Sequence, residues 1–257
     1  MRCLWLANFF LLVLIFSCQS DKSEKLYDGF DQPSLSKAWD NRKFLPGALE
    51  MQKAIVRSGE RAAKITLRPG DQIPQEKGTI LERAEVTEAE EYWSLEDALY
   101  SYTFSIFLPS DFPVDSTRLV IAQWKQECPV ESCMPDNPLI AVRYVAGRLF
   151  ITHLGPELEV LYATSGNLLN RWLDFKFIIS FSRTEAGSIE AWLNNEKVID
   201  FVGVNAYPPH GGYPDQNQFY FKTGLYRDQT DRTMTIYFDE YTKEHLETGS
   251  DAQTRRK

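Results

Sequence analysis

The chain has 257 residues, 43% hydrophobic and 13% aromatic, with a formal net charge of −8. That is enough apolar material for one sizeable core, and the length is ordinary for a single all-β sandwich or barrel. The acidic balance argues against nucleic acid as a partner, while leaving room for a local basic cleft that takes an anion.

The first element is MRCLWLANFFLLVLIFSC, with one cation, Arg2, followed by an apolar run from Leu4 to Phe16. The run is too short to span a bilayer as a helix and fits the core of a signal peptide, residues 1–17. Its end, Ile15-Phe16-Ser17-Cys18, resembles a bacterial lipobox with Cys18 as the lipidated residue. Small Ser17 suits that pattern, whereas Phe16 is bulkier than usual. Ordinary cleavage that leaves Cys18 unmodified is the alternative. Residues 18–27 follow as a polar tether, and loss of Arg2 takes the net charge from −8 to −9. The expected location is a bacterial cell envelope, with the membrane touched only through a lipid anchor.

From residue 60 onward the periodicity is that of strands. RAAKITL (61–67), TILERAEV (79–86), YSYTFSIFLP (100–109) and RLVIAQWKQ (118–126) are rich in β-branched and aromatic residues. The pattern continues through 139–145, 148–154, 172–182, 188–194, 197–201, 219–227 and 234–243. Turn residues punctuate these runs, as at Pro69-Gly70, Ala146-Gly147 and Asn194-Asn195. SLEDALYS (94–101) is read as one helical turn, with Ser94 and Asp97 as a capping pair. The acidic run EVTEAEE (85–91) is read as a solvated loop past a strand end. Eleven strands at this spacing predict an all-β jelly-roll sandwich of two antiparallel sheets, spanning residues 28–246, before a polar tail at 247–257. A curved sheet of this kind offers a concave groove suited to a linear polymer. A monomer is expected.

Two cysteines, Cys128 and Cys133, lie five apart in ECPVESCMPD. In an exported protein they predict a small disulfide loop. Metal ligation is the other reading, but no further cysteine or nearby histidine completes a ligand set.

Three strands break their apolar pattern with polar residues two apart, which share a face. They carry Arg83 with Glu85, Gln123 with Lys125, and Lys222, Gly224 and Tyr226 in YFKTGLY. Any one pair suits an ordinary solvent-facing strand; three with this chemistry make a candidate site. The segments RAE, QWK and YFKTGLY resemble, in the same order, the three strand motifs of alginate-lyase-type jelly rolls: Arg-x-Glu, Gln-x-His and Tyr-Phe-Lys-x-Gly-x-Tyr. The stretch GERAAKITLRPGD through ERAEV, with DGFD upstream, is similar to the heparin lyase I group of uronate polysaccharide lyases. The resemblance covers nearly all of residues 28–243 and implies a concanavalin A-like jelly roll. One position departs from it. Lys125 stands where these families usually place a histidine, and there it resembles ulvan lyases that use a lysine.

What the resemblance implies is cleavage of a uronic-acid polymer by β-elimination. The C5 proton is weakly acidic while the carboxylate keeps its charge. Arg83 and Gln123 suit neutralisation of that carboxylate, because a guanidinium offers bidentate donors and an amide adds another. Glu85 is expected to orient Arg83 at the substrate. Tyr226 is the favoured general acid, Lys125 the preferred base, and Tyr226 the alternative base. Clustering Arg83, Lys125 and Lys222 disfavours each added positive charge and stabilises a phenolate. Lys222 is then a substrate or phenolate partner, and Gly224 leaves room for a sugar ring to approach. Of the three histidines, His210 in YPPHGGY borders the groove as a substrate-binding candidate, His153 is a packing or groove residue, and His245 is solvated. The chemistry asks for no cofactor. A structural calcium ion stays open, although no loop has a recognisable calcium spacing.

Two other classes fit the same sandwich. A non-catalytic carbohydrate-binding lipoprotein would need the groove and no proton transfer. A laminarinase-type hydrolase would need two carboxylates flanking the bond, and the Glu-x-Asp-x-x-Glu strand is absent.

Overall fold

The computed structural model describes residues 25–40, 44–72, 81–127, 137–154, 158–164, 166–207 and 217–247. The strands in chain order begin with β1 (Lys25–Asp28), β2 (Trp39–Asp40), β3 (Leu49–Gln52), β4 (Ala62–Leu67), β5 (Glu82–Glu88) and β6 (Ser94–Leu95). They continue with β7 (Leu99–Leu108), β8 (Leu119–Gln126), β9 (Ile140–Val145), β10 (Arg148–Leu154) and β11 (Leu158–Ala163). The last are β12 (Arg171–Ser180), β13 (Ser188–Leu193), β14 (Glu196–Val202), β15 (Gln218–Arg227) and β16 (Met234–Leu246). The first sheet runs β14-β13-β12-β7-β16-β4-β3, with β1 beside β16; the second runs β11-β10-β9-β8-β15-β5-β2, with β6 beside β15. Every ladder between named strands is antiparallel, so the predicted two-sheet sandwich is what forms.

Alternation along each strand builds the core. In β15, Phe219, Phe221 and Leu225 are fully buried, and in β7 so are Tyr102, Phe104 and Ile106. Rings from the two sheets meet between them: Tyr102 and Trp124 lie 5.5 Å apart edge-on, Phe104 and Phe221 5.1 Å, and Trp124 and Phe177 4.5 Å. Aromatic pairs at such distances add about 0.5–1.5 kcal/mol each beyond the area they bury. The remaining positions of β5, β8 and β15 therefore face outward from the second sheet, and that face carries the candidate residues.

Three local expectations are corrected. Residues 94–101 form no helical turn: Ser94–Leu95 is a strand pairing with Phe219 and Gln218, and Asp97 sits at φ 61° in the turn before β7. The Ser94 hydroxyl bonds the Tyr102 hydroxyl at 2.5 Å rather than capping a helix. A short 3-10 helix lies just upstream, at Glu90–Tyr92. The acidic run at 85–91 is not simply solvated, because β5 extends through Glu88 and both Glu85 and Glu88 are buried. Glu88 accepts bonds from Tyr241 at 2.8 Å and Lys243 at 3.0 Å, which tie β5 to β16 across the sandwich. The tether, drawn to residue 27, gives its last residues to β1, where Leu26 pairs with Lys243.

Candidate active site

Register brings the three motifs together. In the second sheet β15 lies between β5 and β8. Tyr226 stands opposite Arg83, and Gly224 opposite Glu85. Lys222 is opposite Gln123 on β8 and Thr87 on β5, and Tyr220 is opposite Lys125. Neighbouring strands run about 4.8 Å apart, so these side chains share one patch.

Glu85 is the anchor of that patch. It is 1% exposed, and Gln123, 2% exposed, donates from Nε2 to its Oε1 at 2.5 Å. Arg83 Nε lies 3.0 Å from Glu85 Oε2, an ion pair whose N–H is not aligned for a hydrogen bond. Glu85 thus sits beneath the surface and positions Arg83 and Gln123. A buried carboxylate is tolerated only when its charge is met; Gln123 gives Oε1 a hydrogen bond, and Arg83 puts the opposite charge beside Oε2.

Tyr226, half-buried, lies between two guanidinium groups. The Arg83 guanidinium is 4.2 Å from its ring centroid and that of Arg118 5.1 Å. Arg118 is held by Asp228, with Nη2 at 2.8 Å and Nε at 3.1 Å from Oδ1. Arg143 on β9 is the next cation across the sheet, opposite Val120, and its Nε donates to Thr152 Oγ1 at 3.0 Å. Burial, then the positive charge of Arg118, push the Arg143 pKa down from the usual guanidinium value, while Tyr226 pulls it up. Toward the other end, Lys222 is buried and its ammonium lies 5.1 Å from the Tyr220 ring, which stacks on Trp93 at 5.0 Å. An acidic protein thus places Arg83 and Arg118 over one phenol and carries Arg143, Lys222 and Lys125 farther off on the same face, with Lys125 opposite Tyr220, six residues along β15 from Tyr226.

Gly224 has a different reason from the one expected. Its φ is 140°, and a Cβ there would collide with the Ala84 carbonyl oxygen and come within 2.8 Å of the Glu85 Cα. The glycine serves the close approach of β5 to β15, next to a register shift against β8 between Thr223 and Tyr226. The histidines also sort out. His153 is buried against the Phe201 ring at 4.6 Å, and burial pushes its pKa down. His245 packs on the Tyr100 ring at 5.0 Å instead of being freely solvated. His210, Cys18, Cys128 and Cys133 lie outside the described residues.

Arg118 and Arg143 escaped the sequence reading. A lone arginine in an apolar strand, as in AVRYV, looks like any solvent-facing position until the sheet order is known. A hollow of about 630 Å³ lies elsewhere, on the outward face of the first sheet, lined by Arg57, Asp174 and Trp192 among others. There Arg57 is spent on Asp174 through two bonds of 2.9 Å, and Glu240 accepts from Tyr27 and Ser58. Among the described residues no group of three histidine, cysteine or acidic side chains is placed to hold a metal ion.

A phenol with two guanidinium groups over its ring, on a face that also carries an amide and two ammonium groups, can bind an anion and move a proton beside it. The family profile described as polysaccharide lyase matches residues 28–242. The chain belongs to the polysaccharide lyase family. Comparison with curated protein sequences gives no match. Among solved structures, an endo-β-1,4-glucuronan lyase from the fungus Trichoderma reesei aligns with a TM-score of 0.66 at 18% identity, over 88% of this chain and 96% of that one. An alginate lyase from Corynebacterium sp. aligns with a TM-score of 0.52 at 16% identity, over 79% of this chain and 82% of that one. An alginate lyase of polysaccharide lyase family 7 aligns with a TM-score of 0.55 at 15% identity, over 79% and 85%. At these identities the likeness is one of fold, and it agrees with the jelly-roll sandwich of this lyase.

Proposed function

We propose that this lyase cleaves a uronic-acid-containing anionic polysaccharide by β-elimination on the Tyr226 face. The observation that carries the reading is the position of Tyr226, with the Arg83 and Arg118 guanidinium groups over its ring and Gln123 on the neighbouring strand. The substrate carboxylate is taken by Arg83 and Gln123, both already held by Glu85. Neutralising that charge lets the electron pair from the C5–H bond move toward the carboxylate as the proton leaves. Lys125 takes the proton in the preferred assignment, or Tyr226 in the alternative one. The pair then forms the C4=C5 double bond, the C4–O4 bond breaks, and Tyr226 protonates O4. Lys222 adds positive charge for the polymer, and His210 is assigned to the rim.

Glucuronan, ulvan, alginate and heparin-like chains all present a uronate to this machinery. Glucuronan is the first polymer to try, because the fungal glucuronan lyase aligns along nearly its whole length. Lys125 in the middle motif is the feature that supports ulvan as the second. Lipidation at Cys18, an envelope location and a Cys128–Cys133 disulfide complete the proposal. Cell fractionation of a Cys18→Ala strain and thiol titration of the denatured protein test them, and soluble wild type or two free thiols would refute them. A chelator control in the activity assay reads any structural calcium.

The assignment of acid and base is tested by two substitutions. Tyr226→Phe removes one oxygen and keeps the ring between the guanidinium groups. Turnover is expected to fall by at least ~10²-fold with polymer binding retained. Lys125→Arg keeps the charge but cannot give up its proton, so it is expected to bind polymer and fail to cleave it. Lys125→Arg with much of its activity left would move the base role to Tyr226. Near-normal turnover in Tyr226→Phe would dismiss the proposed site.

A further inference from the structure

The hollow on the outward face of the first sheet has no part in the elimination, and its chemistry differs from that of the Tyr226 face. Its volume is about 630 Å³, within the roughly 300–1,000 Å³ of ordinary ligand sites. The charged side chains that line it are Arg57, Lys176, Asp174 and Glu240, and their formal charges cancel. Arg57 is bound to Asp174 by two bonds of 2.9 Å, and Ser105 donates to the same carboxylate at 2.7 Å. Glu240 takes the Tyr27 and Ser58 hydroxyls on one oxygen, Oε1. This balance favours neither an anion nor a cation.

Strand pairing explains how the lining is assembled. One cross-strand row reads Thr242, Thr103, Lys176 and Trp192, across β16, β7, β12 and β13. The next row sets Ser105 opposite Asp174. Four strands at about 4.8 Å per step span roughly 14 Å, an extended bed rather than a socket. In β13 Ala191 and Leu193 are buried, so alternation turns Trp192 outward, where it is partly exposed. The Lys176 and Lys197 ammonium groups lie 4.9 and 5.5 Å from its ring centroid. On the far side of the Asp174 row, Trp172 and Tyr237 flank Phe107 at 5.5 and 5.9 Å and stay partly exposed. Rings therefore border a polar row on both sides. In β16 the register shifts between Asp239 and Thr242, with Glu240 at φ 57°, a strained conformation for a residue other than glycine. That bulge adds Glu240 to the lining.

These features suit one class of ligand. A pyranose ring has faces of C–H groups and a rim of hydroxyls. Its slightly positive C–H groups lie well on the negative face of an indole. Polar groups already locked to one another can meet the hydroxyls with little reordering. We propose that the hollow is a second, non-catalytic site that binds uncharged sugar units of a polysaccharide chain, with Trp192 as the platform and Thr103, Thr242 and Asn195 as hydroxyl partners. It lies on the opposite sheet from Tyr226, so it holds the enzyme to a glycan while the other face stays open to uronate.

The test uses neutral polymers, which the cationic face has no charge to attract. The probes are laminarin, xylan and hydroxyethyl cellulose, with polyglucuronate for comparison, each cast in a native gel. Wild type is expected to be retarded by at least one neutral polymer. Trp192→Leu keeps an apolar side chain and removes the ring, and it is expected to weaken that retardation about tenfold or more, as truncation of a tryptophan anchor does. Its retardation by polyglucuronate and its cleavage of short uronate oligosaccharides are expected to stay within about twofold of wild type. Thr103→Val keeps the branched shape and loses one hydroxyl, and an effect of about threefold is expected. Melting curves check the fold of both variants, and Thr103→Val decides if Trp192→Leu does not fold. Tyr226→Phe is expected to keep the neutral-polymer retardation, so this site is read separately from the elimination. No retardation of wild type by any neutral polymer, equal retardation of wild type and folded variants, or an equal loss on polyglucuronate would overturn the proposal.

Discussion

At the scale of single residues, the site is a set of side chains whose charges are mutually arranged before any substrate binds. Glu85 is the least exposed of them and the most constrained, since it holds an amide and a guanidinium at once. Preorganised donors of this sort do not have to reorient when charge develops on a substrate carboxylate. Gly224 shows how closely that arrangement depends on backbone. With φ at 140° and the Ala84 carbonyl where a Cβ would go, Gly224→Ala must push β5 away from β15. Strain of this class costs about 1–3 kcal/mol. Thermal unfolding is expected to show that loss, with activity falling further than stability because Arg83 and Glu85 ride on β5. A Gly224→Ala variant with wild-type melting and turnover would show that the close approach is not needed.

At the scale of elements, β16 buries two charged side chains, Asp239 and Lys243. Its Asp239 is buried and receives backbone N–H groups from Arg57 at 2.8 Å and Glu240 at 2.9 Å, which clamps the segment before β4 to the sheet. Burial nevertheless prevails over those donors and pushes the carboxyl up to about 6. A folded-state pKa raised above the unfolded value favours the folded protein when the group is protonated. That contribution is complete below the unfolded value of about 4 and is lost as pH rises through about 6. Melting curves of wild type and Asp239→Asn from about pH 4 to 7 check it. The advantage of wild type over the variant is expected to shrink across that range, and a difference independent of pH would contradict it. Long strands such as β7, β12 and β15 were legible because ten residues give a clear alternation. Two-residue strands such as β2 and β6 have no period to read, and β11 is an edge strand without buried residues to mark a face. The turn at Asp97 was mistaken for a helix because Ser and Asp favour caps and turns alike.

At the scale of the whole molecule, one sheet serves as a wall for the core and, on its other side, as a platform of opposite chemistry. Phe219, Phe221 and Leu225 fix the register of β15, and that register presents Tyr220, Lys222 and Tyr226 together outward. This part of the site was legible in the sequence, since polar residues two apart reveal a shared face. The positions contributed by β9 and by the residue before β8 were not, because Arg118 meets Tyr226 only once β8 pairs with β15, and Arg143 joins the same cross-strand row only once β9 pairs with β8. The acidic total charge also concealed a local excess of cations, for charge counts carry no information about position.

The central claim is that this face breaks a uronate polymer by elimination. Mass spectrometry of the oligosaccharides released from polyglucuronate by the purified enzyme, with ultraviolet absorbance recorded on the same sample, tests it most directly. Elimination predicts new non-reducing ends that each carry a C4=C5 double bond, fragment masses that together equal the parent chain, and rising absorbance that Tyr226→Phe abolishes. Fragments that have each gained a water at the cut, with no unsaturated end, would mean hydrolysis and would contradict the account.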